Sequence, residues 1–531
     1  MIRPILRFHD LCAVIALLTL VVLHSGDFTS DPGVGWHLKT GEFVLTSHKP
    51  PIDDPFLALP FGQAPRRWVS DQWLSDVILF KAFALCGWEG LHALASALFF
   101  SGFFIVLYGS LRRSTGAPIL SSLATIMAFK MAQVHFILRP VLFSIFLFIP
   151  VFAVARTLAC APQNSLRLAK YLWLLPLFVV WANLHPSFVL GLLWLGLGAA
   201  VSVVSVVSNV STPITAPSEG ARNRSWKISL VVLALPLAAF FATLLNPYGL
   251  DLHRSIVSLA GSDYFMNMHM EWLSPNFKSS EGSFIMVSWL VITLGIYIGA
   301  QTGSTVRLFD LLSVLLATWM TLRSIRTLPF FGIASAPALV IALQNLGHWI
   351  GKNFHTHTKL ATQAWGRLNR REDRAHPFAF QGALVLILIF GAFIPALRFL
   401  PTRDRSPAGS GYPQDALQFL ALGAAQSNPV VLYASPDLGG YITLQGFPQV
   451  RAVIDDRNTL LGESFYKEYF SARSTPKSFA EFLVKLGVTH LLLQQDSALS
   501  SLVSAWGGYK EIFRDKGFFV FEVPPLVVKE T

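Results

Sequence analysis

Charge is scarce in this chain: 13% of its 531 residues are Asp, Glu, Lys or Arg, against 53% that are hydrophobic. A typical soluble protein carries about 25% charged residues, so this balance excludes an all-soluble chain. Cysteine is scarcer still. The three, Cys12, Cys86 and Cys160, stand far apart in or beside apolar runs. No CxxC or His-rich spacing accompanies them, which argues against a disulfide framework or a zinc site. No internal repeat is evident, and the C-terminal part has no GxGxxG or P-loop spacing. The first apolar run, 11–25, is not followed by a small-residue cleavage site, so it reads as an anchor and not as a signal peptide.

What the sequence does have is apolar length. Runs at 11–25, 88–111, 117–134, 138–158, 170–184, 187–208, 226–245, 284–301, 308–322, 328–347 and 380–400 are separated by short polar segments. Such runs match the hydrocarbon thickness of a bilayer at helical rise, and the mean hydropathy of +0.52 agrees. The expected fold is a multi-span α-helical membrane bundle of about eleven transmembrane helices. Net charge is +11, but its distribution points to lipid topology and not to nucleic acid. Arg112, Arg113, Arg156, Arg307 and the cluster Arg367 to Arg374 fall in alternate connections, as do Arg222 and Arg224. The opposite connections, near 135–139, 184–187 and 247–283, carry Asp251, Asp263, Glu271 and Glu281. This is the positive-inside asymmetry. It places the loop 26–87 and the tail 401–531 outside the cytoplasm.

The tail changes character after the Pro/Gly/Ser-rich stretch Pro401 to Pro413. Strand-like runs at 430–434, 441–444, 450–454, 490–493 and 518–521 interleave with helix-like runs at 414–425, 477–486 and 498–506. That alternation predicts a small C-terminal soluble α/β domain with a mixed or parallel sheet. Residues 1–400 would form the membrane domain and 401–531 the tail domain.

The loop 26–87 is patterned: DPGVGWHLKTG from Asp31, PPIDDPF from Pro50, and WVSDQWL from Trp68. Asp31 lies just past the first apolar run, where a carboxylate can face a lipid headgroup and accept a proton from an incoming hydroxyl. Paired carboxylates could instead hold a divalent cation beside a phosphate. An equally simple reading is structural, with Asp31 and Asp54 opening Asx-Pro turns and Trp36, Trp68 and Trp73 forming an interfacial aromatic belt.

These motifs, with HFILRPVLFS at 135–144, NLHPSFVLG at 183–191, NPYG at 246–249, MEWLSP at 270–275, DLGGYITL at 437–444 and VIDDRNTLLG at 453–462, resemble bacterial multi-span proteins of the C-type (GT-C) glycosyltransferase superfamily. That group includes protein O-mannosyltransferases and aminoarabinose transferases. The resemblance covers most of the chain and implies a membrane glycosyltransferase of the bacterial inner membrane. Such an enzyme would move a sugar from a polyprenyl-phosphate donor to a glycan, lipid or protein acceptor of the envelope at the outer face.

The resemblance assigns Asp31 as the acid just past the first span, with Asp53 and Asp54, then Glu271, as the second acids. The sequence departs from the better-characterised members of that group in showing neither a clear DxD nor an Asp–Glu dyad in the loop, so a divalent metal is not fixed by the resemblance. Arg139, Arg323 and Arg326 fall at the outer ends of spans, where they could hold the phosphate that leaves, or snorkel to lipid headgroups. His37 and His185 could orient phosphate or sugar hydroxyls, or be packed hydrogen-bonded side chains. Asp455-Asp456-Arg457 could contact an acceptor, although a turn with a local ion pair is the simpler expectation. Two other functions remain compatible with the residues: a transporter or flippase of lipid-linked saccharide, and a noncatalytic envelope-polysaccharide assembly protein.

Overall fold

The computed structural model describes residues 8–24, 31–60, 64–160, 168–207, 232–304, 306–353, 411–424, 428–515 and 517–524. The expected span 380–400, the basic cluster 367–374 and most of the linker lie outside them. Helices α1 (Phe8–His24), α2 (Val34–Ser47) and α3 (Trp73–Phe100) are followed by α4 (Pro118–Ala132), α5 (Val141–Cys160), α6 (Leu174–Leu184) and α7 (Phe188–Val207). Then come α8 (Val232–Thr243), α9 (Leu250–Ala260), α10 (Asp263–Met268), α11 (Ser280–Thr302), α12 (Leu308–Arg323) and α13 (Leu328–Asn353).

Among the described residues five helices are long and apolar enough to cross a membrane, and α6 and α8 contribute shorter apolar segments. The longest is a continuous run, Trp73–Thr115. It bends where Cys86 and Gly87 leave helical geometry, Gly87 at φ 58°, a conformation that a side chain would strain. The run corrects one expectation: the last part of the loop 26–87 is helix from Trp73 onward. Close approach between helices comes from small residues. A Cβ on Gly198 would strike the Ala155 backbone, and one on Gly295 would strike Ala342, so α7 seats on α5 and α11 on α13 at near-backbone contact. Two buried ion pairs staple the bundle. Arg156 forks onto Asp310 at 2.6 and 2.8 Å, and Asp10 receives Arg112 at 2.6 Å and the Tyr108 hydroxyl. Arg112 and Arg156, which the charge asymmetry counts as topological signals, are thus also structural.

The tail supplies α14 (Gln414–Gly423), β1 (Val430–Tyr433), α15 (Gly439–Gly446), β2 (Val450–Ala452), α16 (Asn458–Ser471), α17 (Pro476–Leu486), β3 (His490–Gln494), α18 (Ala498–Trp506), β4 (Lys510–Arg514) and β5 (Phe518–Glu522). Its sheet runs β2-β1-β3-β5-β4. The pairs β1–β2 and β1–β3 are parallel, while β3–β5 and β4–β5 are antiparallel. The expected strand at 441–444 is wrong: Tyr441, Ile442, Thr443 and Leu444 lie in α15, where β-branched residues fit a helix because tertiary contacts override a weak propensity.

The second core crosses the boundary between loop and tail. Trp36, Phe56, Leu57 and Trp68 are buried in one cluster with Tyr433, Tyr441, Tyr466 and Phe479. Glycines permit this. A Cβ on Gly440 would lie 2.6 Å from the Pro32 carbonyl and 2.9 Å from the Gly33 Cα, and one on Gly35 would strike the Gly440 carbonyl. The start of α2 and α15 therefore meet backbone to backbone.

Candidate active site at the junction of bundle and tail

The turn Asp31-Pro32-Gly33 opens α2. The Gly33 amide donates to Asp31 Oδ1 at 2.9 Å, and the Gly35 amide closes the turn onto the Pro32 carbonyl at 3.1 Å. This is the Asx turn that the Asp-Pro dipeptide predicts. The same Asp31 carboxylate is also forked by Arg139, through Nε and through Nη2 to Oδ1 at 2.9 Å. Arg139 stands just before Pro140 and α5. Its Nη2 also donates to Asp456 Oδ2 at 2.8 Å, and the other Asp456 oxygen accepts from Trp36 Nε1 at 2.8 Å. One arginine thus joins an acid of the loop to an acid of the tail. No side chain fits at position 33, since a Cβ would lie 2.8 Å from both Arg139 Nη2 and Asp456 Oδ2.

Asp455 and Arg457 point the other way. Arg457 Nε donates to Asp455 Oδ2 at 2.7 Å and Nη1 to Asp54 Oδ1 at 2.8 Å. Its guanidinium lies 4.5 Å from the Trp68 ring. The local ion pair expected at Asp455-Asp456-Arg457 is present, and Asp54 is part of it. Asp54 is therefore a clamp between loop and tail, whereas Asp53 is exposed and pairs its backbone with Arg67.

Other connections converge on the same end. Glu271 accepts from Arg326 Nη1 at 2.9 Å and from Trp272 Nε1 at 3.2 Å. His135 Nε2 donates to the Arg326 carbonyl at 2.8 Å, which fixes its tautomer because a carbonyl only accepts. The Ser187 amide donates to His185 Nδ1 at 3.1 Å, and Ser144, itself receiving Trp181 Nε1 at 2.8 Å, lies 3.0 Å from that nitrogen. His185 is left with its Nε2 protonated. His37 Nδ1 lies 2.6 Å from Asp76 Oδ1, both side chains being buried. Arg323 is not brought in: it is exposed, stacked 5.5 Å from the Trp319 ring.

Burial and charge set the protonation states. Burial lowers His37, aided by Arg139, and lowers His185, aided by Arg326. Burial brings His135 to about 4. Burial opposes ionisation of Glu271, but Arg326 and Arg139 outweigh it and hold the carboxyl at about 2. Burial raises Asp456 to about 6 against Arg139, with Asp31 and Asp455 adding to the rise. Burial also raises Asp71 to about 6. Asp71, Asp76 and His135 carry no expected site role from the sequence, although Asp71 and His135 lie inside quoted motifs, whereas Asp456 belongs to the Asp455-Asp456-Arg457 run read there as an acceptor contact or a turn. For Asp71 and His135 the only signal available was that motif membership.

Among the described residues no three His, Cys, Asp or Glu side chains converge as a metal set. Asp31 and Asp456 are engaged by Arg139, and Glu271 by Arg326. A guanidinium engages each of these carboxylates in this arrangement, so a divalent cation bound by their oxygens would have to displace Arg139 or Arg326 from them.

No protein-family model matches the sequence, and no curated relative matches it. Solved structures do match in fold. The archaeal oligosaccharyltransferase AglB from Archaeoglobus fulgidus, in complex with an inhibitory peptide and a dolichol-phosphate, superposes with TM-score 0.55 at 11% identity, over 91% of this chain and 69% of that one. Its apo form gives 0.53 at 12% identity, over 91% and 69%. The chain shares the overall fold of these oligosaccharyltransferase structures. ArnT from Cupriavidus metallidurans bound to undecaprenyl phosphate overlaps more loosely, at TM-score 0.47 and 15% identity, over 96% of this chain and 97% of that one.

Proposed function

We propose that the chain is a membrane glycosyltransferase that moves a sugar from a polyprenyl-phosphate donor to an envelope acceptor at the outer face of the bacterial inner membrane. The observation that carries this reading is the Asp31–Arg139–Asp456 cluster, with Arg326–Glu271 beside it, where the apolar helices meet the tail. A lipid-borne phosphate needs cations at the membrane surface, and an acceptor hydroxyl needs a carboxylate within reach of its proton. The fold likeness to a protein solved with dolichol-phosphate supports the donor class.

In this mechanism the acceptor oxygen attacks the anomeric carbon as the bond from that carbon to the phosphate oxygen breaks. The electron pair goes to the lipid phosphate, whose charge Arg139 and Arg326 offset. The acceptor's proton goes to Asp31. In the described state Arg139 covers both Asp31 oxygens, so a phosphate that draws the guanidinium toward itself also uncovers the base. His37 and His185, neutral through burial, orient hydroxyls without adding charge. The described part of the tail packs against the loop and contributes Asp456.

The test is sugar transfer in proteoliposomes from a panel of radiolabelled polyprenyl-phosphoryl sugars. Asp31→Asn keeps the shape of the side chain and removes the base. It should insert normally and lose transfer by at least about a hundredfold. Near wild-type transfer by well-inserted Asp31→Asn would remove the assignment and favour a transporter or assembly role.

A further inference from the structure

The middle acid of Asp455-Asp456-Arg457 is turned away from its neighbours and into the site, where it shares Arg139 with Asp31. Both outer residues are consumed by the clamp to Asp54. Among the described residues of the tail, Asp456 alone pairs with the Arg139 guanidinium, and Trp36 Nε1 fixes its second oxygen.

One guanidinium between two ionised carboxylates leaves a net negative charge at the place where a phosphate must dock. A proton on either acid brings the cluster to neutrality. The charged groups facing Asp456 are Arg139 from the segment before α5, Asp31 from the start of α2, and Asp455 from its own segment. Tyr466 of α16 senses Asp456 as well. Arg457 is committed to Asp54 and Asp455, with Arg66 adding positive charge near both. The oxygens of Asp31 are fully covered by Arg139 and the Gly33 amide, whereas Asp456 takes one donor on each oxygen.

We infer that Asp456 is a proton-operated gate on phosphate binding: protonated, it releases Arg139 to an incoming lipid phosphodiester, and ionised, it holds Arg139 and repels that ligand. Asp456 is thus a positioning residue that acts through Arg139, and the tail domain regulates the donor site of the bundle. The inference rests on the glycosyltransferase reading.

The direction follows from its proton affinity. Asp456 sits at about 6, so it is mostly ionised at higher pH and mostly protonated below. If only the protonated form binds, affinity falls by about 50-fold between pH 6 and pH 8, in proportion to the competent fraction. The histidines of the site do not confuse this window, because burial depresses them. Asp71 also sits at about 6 and needs its own control.

The probe is farnesyl methyl phosphodiester, which carries a single charge across the window, with farnesol as the phosphate-free control. Binding to the full-length purified protein in detergent is measured from pH 5.5 to 8.5. The wild type should weaken at least about fivefold from pH 6 to pH 8, toward the 50-fold limit. Asp456→Asn should bind with a flat profile, and Asp71→Asn should keep the slope. Trp36→Phe retains a ring but removes the donor that favours the ionised acid, so its profile should move to higher pH. A flat wild-type profile, or a slope that survives Asp456→Asn, overturns the gate while leaving sugar transfer intact. No phosphodiester binding at any pH overturns the glycosyltransferase reading and the gate together.

Discussion

Replacing Arg457 with Met should unfasten the tail from the loop. The Arg457 side chain is 2% exposed, against 2% for Asp54 and 0% for Asp455. The substitution leaves two buried carboxylates without their cation, and breaking a buried pair in this way costs about 3–5 kcal/mol. Two features decide where in that range it falls. Asp54 still accepts the Phe56 and Leu57 amides, and Asp455 still accepts the Arg457 amide, which pulls the cost toward the lower end. The stacking of Arg457 on Trp68 at 4.5 Å is also lost, adding about 1 kcal/mol. A total of about 4 kcal/mol corresponds to about a thousandfold in the equilibrium for local opening. Native-state proteolysis of the detergent-solubilised protein reads that equilibrium when cleavage is slow relative to reclosing. Cleavage within 48–60 should accelerate by about that factor. The triple variant Asp54→Asn, Asp455→Asn, Arg457→Met carries no stranded charge and should recover most of the loss. A cleavage rate for Arg457→Met within about fivefold of wild type would refute the clamp.

Other outcomes follow from the same geometry. Arg326→Ala should weaken phosphodiester binding at least about tenfold, with Arg326→Lys less affected, because Arg326 faces the site beside Glu271. Arg323→Ala should leave binding unchanged, since Arg323 lies exposed on Trp319; titration of both variants checks this. Gly35→Ala has no room against the Gly440 backbone and should lower the thermal unfolding temperature by several degrees, with the tail digested first under mild proteolysis. A periplasm-active reporter fused after Thr402 should be active and one fused near Gly366 inactive, as the positive-inside reading of the basic cluster 367–374 expects. A cytoplasmic tail would reverse the sidedness of the whole site.

Helices were legible because lipid leaves the backbone little choice: an apolar run of membrane length must satisfy its own amides and carbonyls. Thus the run read at 308–322 is Leu308–Arg323, and that at 284–301 is Ser280–Thr302. The soluble strands were legible as short continuous apolar runs between polar and turn residues, as at Val430–Tyr433 and His490–Gln494. The missed strand, Lys510–Arg514, is largely polar and exposed and carries no such signal. Asp31 was legible by its position after the first apolar run, as were Arg139 and Arg326 at the ends of others. Which acid meets which arginine was not. Arg139 and Asp456 are 317 positions apart, and Asp54 and Arg457 are 403 apart, so their pairing depends on how the tail seats on the loop. That seating is made by Gly33, Gly35 and Gly440, residues whose contribution is the absence of a side chain. The sequence by itself determined the membrane bundle, the mixed tail sheet and the polar motifs that supply the chemistry. Only the tertiary structure decided that Asp54 fastens, that Arg323 stays outside, and that Asp456 enters the site, because charge partners in a buried cluster are chosen by proximity in space and not along the chain.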